Sequence, residues 1–392
     1  CDVMNTVSMK WANNGITPTW LGNQSKAALK VRYIGNKPHV YAKVNGKELL
    51  FLLDTGASFT ILDSTEKVKS LNLTMGDKLA VGGWGDDGAT SAHKSHIDHI
   101  DFGSFSFQDV NIAYVPIIKS KYYLRADEAV VDGVIGHDLM QHFAWTFDRE
   151  TETILASATP YVAPVKAQAL PFNRFLSKIS VNAQADFGDE HKVTEPFIID
   201  TGSRHYVKLS ALYVENNKIE VGPTVTASDF GLSGQMIHTR FAMPELQLGK
   251  IKIPSVKTNL VPNVDEDDLW VIGSAIFKNF VTTIDYHTDT LYLEQKRPIV
   301  VRYNLIGLEL RKIRSGEFVV RYVMPDLPTA NLAINVGDLI TKLNGVQAKD
   351  ITQEHWLDIA GTAAKHTVCW VNENANETCH TIQANAIFGY SS

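Results

Sequence analysis

The segment "FLLDTGASFTILD" that begins at Phe51 has a counterpart, "FIIDTGSRHYVKL", that begins at Phe197. In each, an apolar run drives into Asp-Thr-Gly, and the two aspartates, Asp54 and Asp200, stand 146 residues apart. Such a run reads as a buried strand, because consecutive apolar residues leave no face for solvent. The chain therefore carries a carboxylate into its interior twice, each time beside a glycine that permits a sharp turn. One Asp-Thr-Gly is weak evidence, since ordinary composition yields about 0.1 per chain of this size. Two in matched surroundings are not.

The surroundings match over a long distance. Glycines follow Asp54 at offsets of 31, 34 and 49 residues (Gly85, Gly88, Gly103), and the same offsets from Asp200 reach Gly231, Gly234 and Gly249. Further on, "VIGHDLMQHFAWTFDRETETI" at 134–154 aligns with "VIGSAIFKNFVTTIDYHTDTL" at 271–291, pairing Phe143 with Phe280 and Asp148 with Asp285. Only the connection before this block differs, by nine residues. This ordered set reads as a tandem duplication. Period-two alternation predicts strands through most of both halves, with an Asn-Gly turn at 45–46. Short helices are predicted at 137–143 and 274–280. The Ala- and Pro-rich stretch 156–171 reads as a linker, and the repeat ends near "EQKRPIV" at 294–300. The expected organisation is a tail over 1–28, lobes over 29–162 and 163–297, and a C-terminal domain over 298–392.

Composition narrows the function classes. A net charge of −6 with scattered basic residues gives no reason to expect nucleic acid as a partner. No apolar stretch approaches the roughly 18–20 residues of a membrane-spanning helix. Cys369 and Cys379 are equidistant from Asn374, as partners across a hairpin would be. A bridge there would indicate an oxidising, extracytoplasmic compartment; two free thiols are the alternative.

Two carboxylates held about 3 Å apart cannot both be charged, so they share a proton and titrate as a pair. One then serves as general base toward a water while the protonated partner polarises a carbonyl. Neither a covalent intermediate nor a metal is required. Thr55 and Thr201 can bond across the axis between the loops, with Gly56 and Gly202 allowing their close approach.

On these residues the first 295 positions resemble an aspartic peptidase of the pepsin–retropepsin fold, with a lean toward retropepsins. Ala57 follows the first Asp-Thr-Gly, "VGGWGDDG" at 81–88 resembles a retropepsin flap, and "VIGHDL" resembles that family's Ile-Gly-Arg-Asp/Asn-Leu. The resemblance implies a mainly β fold of two pseudo-twofold-related barrel lobes in one monomeric chain, acting on peptides without a cofactor. It implies a flap in each half, with Gly83, Trp84 and Gly85 in one and Gly231 and Gly234 in the other. Ser203 replaces Ala57 in the second loop, so only Asp200 can receive an extra hydroxyl hydrogen bond, and the aspartates should be inequivalent. His137 stands where retropepsins usually have arginine.

"NLIGLEL" at 304–310 and "VMPDLPTANLAINVGDLITKLNGVQAKDIT" at 323–352 resemble a PDZ domain of bacterial exported proteases. That implies an α+β domain whose Ile306, Gly307 and Leu308 backbone groups capture a peptide's terminal carboxylate, with a helix near 352–361 as the second groove wall. A domain that only packs on the peptidase is the alternative. In the same setting Cys1 reads either as the lipid-bearing residue of an exported, periplasmic or membrane-anchored bacterial lipoprotein or as the result of trimming. His93, His96 and His99 fall on a returning flap strand where they cannot share one face, so no metal site is expected there. "DEDD" at 265–268 reads as a solvated loop. The expected function is an aspartic endopeptidase; the rival is a catalytically silent or autoinhibited peptide-binding scaffold of the same fold.

Overall fold

The structure is a computed structural model that describes residues 10–13, 15–85, 88–120, 122–128, 131–264 and 270–387. Strands Lys37–Val44 and Lys47–Leu53 form the expected hairpin, with Asn45 (φ 47°) and Gly46 (φ 85°) at its turn. The run Leu49–Leu53 is apolar on both faces because it is an interior strand. It pairs antiparallel with Lys37–Val44 and parallel with Gly133–Ile135, in a sheet of nine strands. The second half repeats the arrangement. Lys192–Asp200 lies between antiparallel Lys178–Asp186 and parallel Trp270–Gly273, in a sheet of eight strands. Each Asp-Thr-Gly thus leaves the end of a central strand.

A third sheet joins the lobes. Ala144–Asp148 pairs antiparallel with Phe280–Asp285, so that Ala144 faces Asp285, Asp148 faces Val281, and Thr146 faces Thr283 at the centre. Thr146 and Thr283 are the equivalent residues of the two halves, and their hydroxyls are 2.9 Å apart. The pseudo-twofold axis passes between them. The duplication read in the sequence is therefore a rotation in space. Helices His137–Met140 and Ile276–Asn279, the second of them 3-10, are shorter than expected; the interlobe strand follows the second directly and the first after three residues. The ends of the expected linker, Thr153–Ser157 and Gln168–Pro171, also belong to this sheet.

The first 28 residues are not all tether. Thr19–Trp20 pairs with Phe105 and Ser106, and Lys26–Ala28 pairs with Leu155–Ser157. Trp20 sets its ring 5.0 Å from Phe105 and 5.9 Å from Phe143, which gives this segment an apolar anchor. Cys1 lies outside the described residues. Among the described residues no helix is long and apolar enough to cross a membrane.

The C-terminal domain is an antiparallel sheet ordered Leu308–Lys312, Phe318–Val323, Leu339–Leu343, Lys365–Val371, Glu377–Gln383, with helix Gln353–Ala360 packed on it. Thr352 caps that helix, its hydroxyl accepting from His355 N–H. Cys369 and Cys379 stand opposite each other in the last hairpin and are joined as a disulfide.

This domain is seated on both lobes. Met324 and Leu327 pack against Val225 and Ala227 of the second lobe. Glu354 pairs with Arg149 and accepts from Asn36 N–H. Glu309, on the edge strand, enters the second lobe and meets Arg204 at 2.8 Å and Arg240 at 3.1 Å. Burial alone would push this carboxyl up, but the two guanidiniums outweigh it and hold Glu309 at about 2. Removing one member of a buried ion pair leaves its partners uncompensated. Glu309→Ala is expected to cost about 3–5 kcal/mol in denaturant unfolding at neutral pH. Because the folded state depresses this pKa, the contribution is full above the usual glutamate range and disappears as pH falls through about 2, so the wild-type advantage should shrink on acidification.

Candidate active site

The two Asp-Thr-Gly loops meet back to back. Thr55 N–H donates to Thr201 Oγ1 (3.0 Å), and Thr201 N–H donates to Thr55 Oγ1 (3.0 Å). Each hydroxyl in turn donates across the axis, Thr55 to Ile199 O (2.6 Å) and Thr201 to Leu53 O (2.8 Å). All four bonds are buried and none joins residues of the same lobe. They leave the loops little freedom of position.

The aspartates then face each other. A methyl group built on Gly56 would lie 2.7 Å from Asp200 Oδ1 and 2.9 Å from Asp54 Oδ1, so one small volume touches both carboxylates. Two carboxylates this close cannot both carry charge without penalty. Burial and the neighbouring Asp200 charge push Asp54 up to about 7.

The halves are unequal, as expected, but for a different reason. Gly56 N–H donates to Asp54 Oδ1 (2.7 Å) and Gly202 N–H to Asp200 Oδ1 (2.9 Å). Asp200 Oδ1 takes a second backbone donor, Ser203 N–H, at 3.1 Å. Both amides bond the carbonyl of their own aspartate, Ala57 N–H to Asp54 O (3.1 Å) and Ser203 N–H to Asp200 O (3.2 Å), but only that of Ser203 is also shared with the carboxylate. The expected donor was the Ser203 hydroxyl, yet that Oγ is buried without a partner among the described residues. The turn aims the Ser203 amide, not its hydroxyl, at Asp200.

Two further residues hold the loops from behind. Asp138, fully buried, accepts from Thr60 N–H (2.9 Å) and from the Thr60 hydroxyl (2.8 Å). In the second lobe, Ser274 donates its hydroxyl to Ser203 O (2.6 Å) and its N–H to the same carbonyl (2.8 Å). Both follow the duplicated Val-Ile-Gly, the signal that could have marked them. His137 supports the first loop through its backbone N–H, which bonds Ala57 O (2.9 Å). Burial, with Arg174 nearby, lowers its ring to about 4, so it stays neutral against Tyr286.

The predicted flaps are hairpins whose tips cross above the dyad. Strands Lys78–Val81 and Thr90–Asp101 carry Gly83, Trp84 and Gly85, and strands Val225–Gly231 and Gly234–Leu248 carry the second tip. Ser233 N–H donates to Trp84 O (2.8 Å), and any side chain at Gly231 would overlap that same carbonyl. Trp84 Nε1–H donates to Asp229 Oδ1 (2.7 Å) of the other lobe. Asp229 also meets Lys208 (3.2 Å) and His205 (2.7 Å), and Lys208 Nζ lies 3.7 Å over the Trp84 ring. Burial opposes the charge on Asp229, but Lys208 and His205 outweigh it and hold the carboxyl well below its usual range. Sequence reading missed this group because its members are distant along the chain.

One cavity of about 1410 Å³ contains Asp54, Asp200 and Trp84 and extends to Glu309–Arg314 and Lys349–Glu354 of the C-terminal domain. Ile306, Gly307 and Leu308 do not line it. Ile306 and Leu308 are buried, and Gly307 N–H is taken by Asn304 Oδ1 (2.9 Å). The edge strand beside that loop is also engaged, since the Gln353 side chain bonds Leu310 O and Lys312 N–H. His93, His96 and His99 lie on Thr90–Asp101 with the odd and even positions on opposite faces. His96 instead approaches Asp98 and Asp109, all three exposed. Residues 265–268 lie outside the described residues.

Residues 40–139 match the family model for aspartyl proteases. Among solved structures, the aspartic proteinase from Irpex lacteus is similar, with 13% identity over 69% of this chain and 97% of that one and a TM-score of 0.44. No curated protein matches the chain. The family match covers the Asp54 loop, its flap and the Asp138 support, and it supports a peptidase of the aspartic type. The two-lobed β architecture rests on the strand pairings themselves.

A Cβ on Gly202 would overlap the Asp54 carboxylate. Gly202→Ala must therefore displace one aspartate, and a misplacement near 1 Å costs about 100-fold in rate. The expected outcome is a loss of that order in peptide-hydrolysis kcat/KM with near-native circular dichroism.

Proposed function

We propose that this protein is a monomeric aspartic endopeptidase that hydrolyses peptides bound extended beneath the two flaps. The observation that carries this reading is the apposition of the half-buried Asp54 and Asp200 carboxylates where two symmetric loops meet. The C-terminal domain is read as a PDZ domain that recognises or regulates peptide chains. The Cys369–Cys379 bridge favours an exported location.

The unequal backbone donors support one reading of the roles. Asp200 Oδ1 takes two backbone donors, which favour the anion, so Asp200 is the general base toward a water between the carboxylates. Asp54 carries the proton and donates it to the scissile carbonyl oxygen as the tetrahedral centre forms. The proton taken by Asp200 then passes to the leaving amine. The roof made by Trp84 and Ser233 limits the approach of solvent from the flap side.

Asp54→Asn and Asp200→Asn should each lower hydrolysis of a peptide library by at least about 1,000-fold, of the order seen when one member of a cooperating catalytic set is removed. Wild-type rates in both variants would refute the reading. Because the shared proton on Asp54 is lost as pH rises through about 7, kcat/KM should fall above that pH. The same shift has a stability sign. A carboxyl raised in the folded state penalises folding as pH climbs from the ordinary range toward 7. Asp54→Asn should therefore gain more Tm over wild type at pH 8 than at pH 4.

A further inference from the structure

The longer connection in the first lobe places Tyr122 and Tyr123 against the C-terminal domain. The Arg311 guanidinium lies 4.7 Å from the Tyr122 ring and 4.6 Å from the Tyr123 ring. Arg321, on the neighbouring strand Phe318–Val323, donates to Tyr122 O and stacks 3.7 Å over Phe230 of the second flap. Lys37 begins the first-lobe strand Lys37–Val44. Lys37, Tyr122, Arg311 and Arg321 all line the cavity that contains Asp54 and Asp200.

The local charge does not balance. Glu128 meets Arg311 at 3.3 Å through Oε2, while its Oε1 accepts from Leu124 N–H (2.7 Å) and Arg125 N–H (3.1 Å). Glu309 is committed to Arg204 and Arg240. Among the described residues no carboxylate pairs with Lys37 or Arg321. Arg321 is more than nine-tenths buried, and its Nε has no acceptor among the described residues. What Arg311 and Arg321 meet here is aromatic, their guanidiniums lying 4.7 and 5.4 Å from the centre of the Tyr122 ring. Burial pushes the Tyr122 phenol up, but Arg311, Lys37 and Arg321 outweigh it and bring it down to about 7. A buried guanidinium short of acceptors is costly, and a carboxylate offers the planar acceptor pair that suits it.

We propose that Lys37, Arg311 and Arg321 form a carboxylate-binding subsite of the cleft, which selects peptides bearing a carboxylate at a fixed distance from the scissile bond. This rests on the peptidase reading and adds its substrate class. The recognition is by side-chain cations shared between the first lobe and the C-terminal domain, apart from the backbone loop at 306–308. The carboxylate can belong to an Asp or Glu side chain or to the peptide's own C-terminus; the chemistry at the subsite is the same.

The test uses the full-length chain carrying Asp54→Asn and a set of fluorescent decapeptides. Their acidic side chains are replaced singly by amides, and each peptide is made with a free or amidated C-terminus. Fluorescence polarisation should show at least ten-fold weaker binding when the one recognised carboxylate becomes an amide. A loss on amidating the terminus identifies a chain end as the source, and a loss on a Glu→Gln replacement identifies a side chain. Arg321→Gln and Lys37→Gln, each added to the same background, should remove the difference while leaving affinity for the neutral, amidated peptide unchanged. Lys37 lies outside the C-terminal sheet, so its variant reads the subsite even if Arg321→Gln perturbs packing. Equal binding of acid and amide forms at every position would overturn the proposal, as would a preference that survives both variants. Absence of hydrolysis by the wild-type chain alongside a clear carboxylate preference would fault the peptidase reading and leave the subsite standing.

Discussion

Four hydrogen bonds between Thr55 and Thr201 and the strand ends beside them set the position of everything that could react. Each threonine gives its hydroxyl to the other lobe's backbone and receives the other's amide, so neither loop can shift without unbonding both. Because the group is buried, a broken member has no water to turn to, and the cost of an orphaned polar atom enforces the geometry. The two carboxylates are then brought together by the scaffold against their own repulsion. The raised proton affinity of Asp54 follows from that placement.

The cleft is a product of three parts rather than two. The lobes supply the dyad and the flaps, while the C-terminal domain supplies a wall from Glu309 to Arg314 and supports the second flap through Met324 and Leu327. Charge is the common element at these contacts. Asp229 with Lys208, Glu309 with Arg204 and Arg240, and Arg311 with Glu128 are each buried beside the cavity. Buried pairs of this kind add little net stability compared with apolar packing but penalise misalignment heavily. Their placement around the cleft suits a structure that must hold one arrangement of its parts.

What could be read from the chain beforehand has a common physical basis. The apolar runs, the glycine offsets and the Asn-Gly turn are local patterns dictated by strand period and backbone sterics, and Asp54, Asp200 and both flap tips follow from them. The tail was misjudged because Thr19–Trp20 and Lys26–Ala28 are short, polar-flanked strands whose pairing partners are far along the chain. The Ser203 donor was misassigned because residue type does not show whether an amide or a hydroxyl faces the carboxylate. The cluster of Trp84, His205, Lys208 and Asp229 has no sequence period at all; it exists only once the two lobes face each other. The nine-residue difference between the halves was visible as a length, and its role in carrying Tyr122 to the C-terminal domain was not.

The Glu309 pairing has a consequence in time as well as in space. Synthesis proceeds from the N-terminus, and domains generally fold as they emerge. Both lobes are complete about a dozen residues before Glu309 is added, so the guanidiniums of Arg204 and Arg240 must first stand in a hydrated, uncapped socket. The domain that closes this corner is thus made after both lobes, and a nascent chain holds both aspartates before it owns the finished cleft.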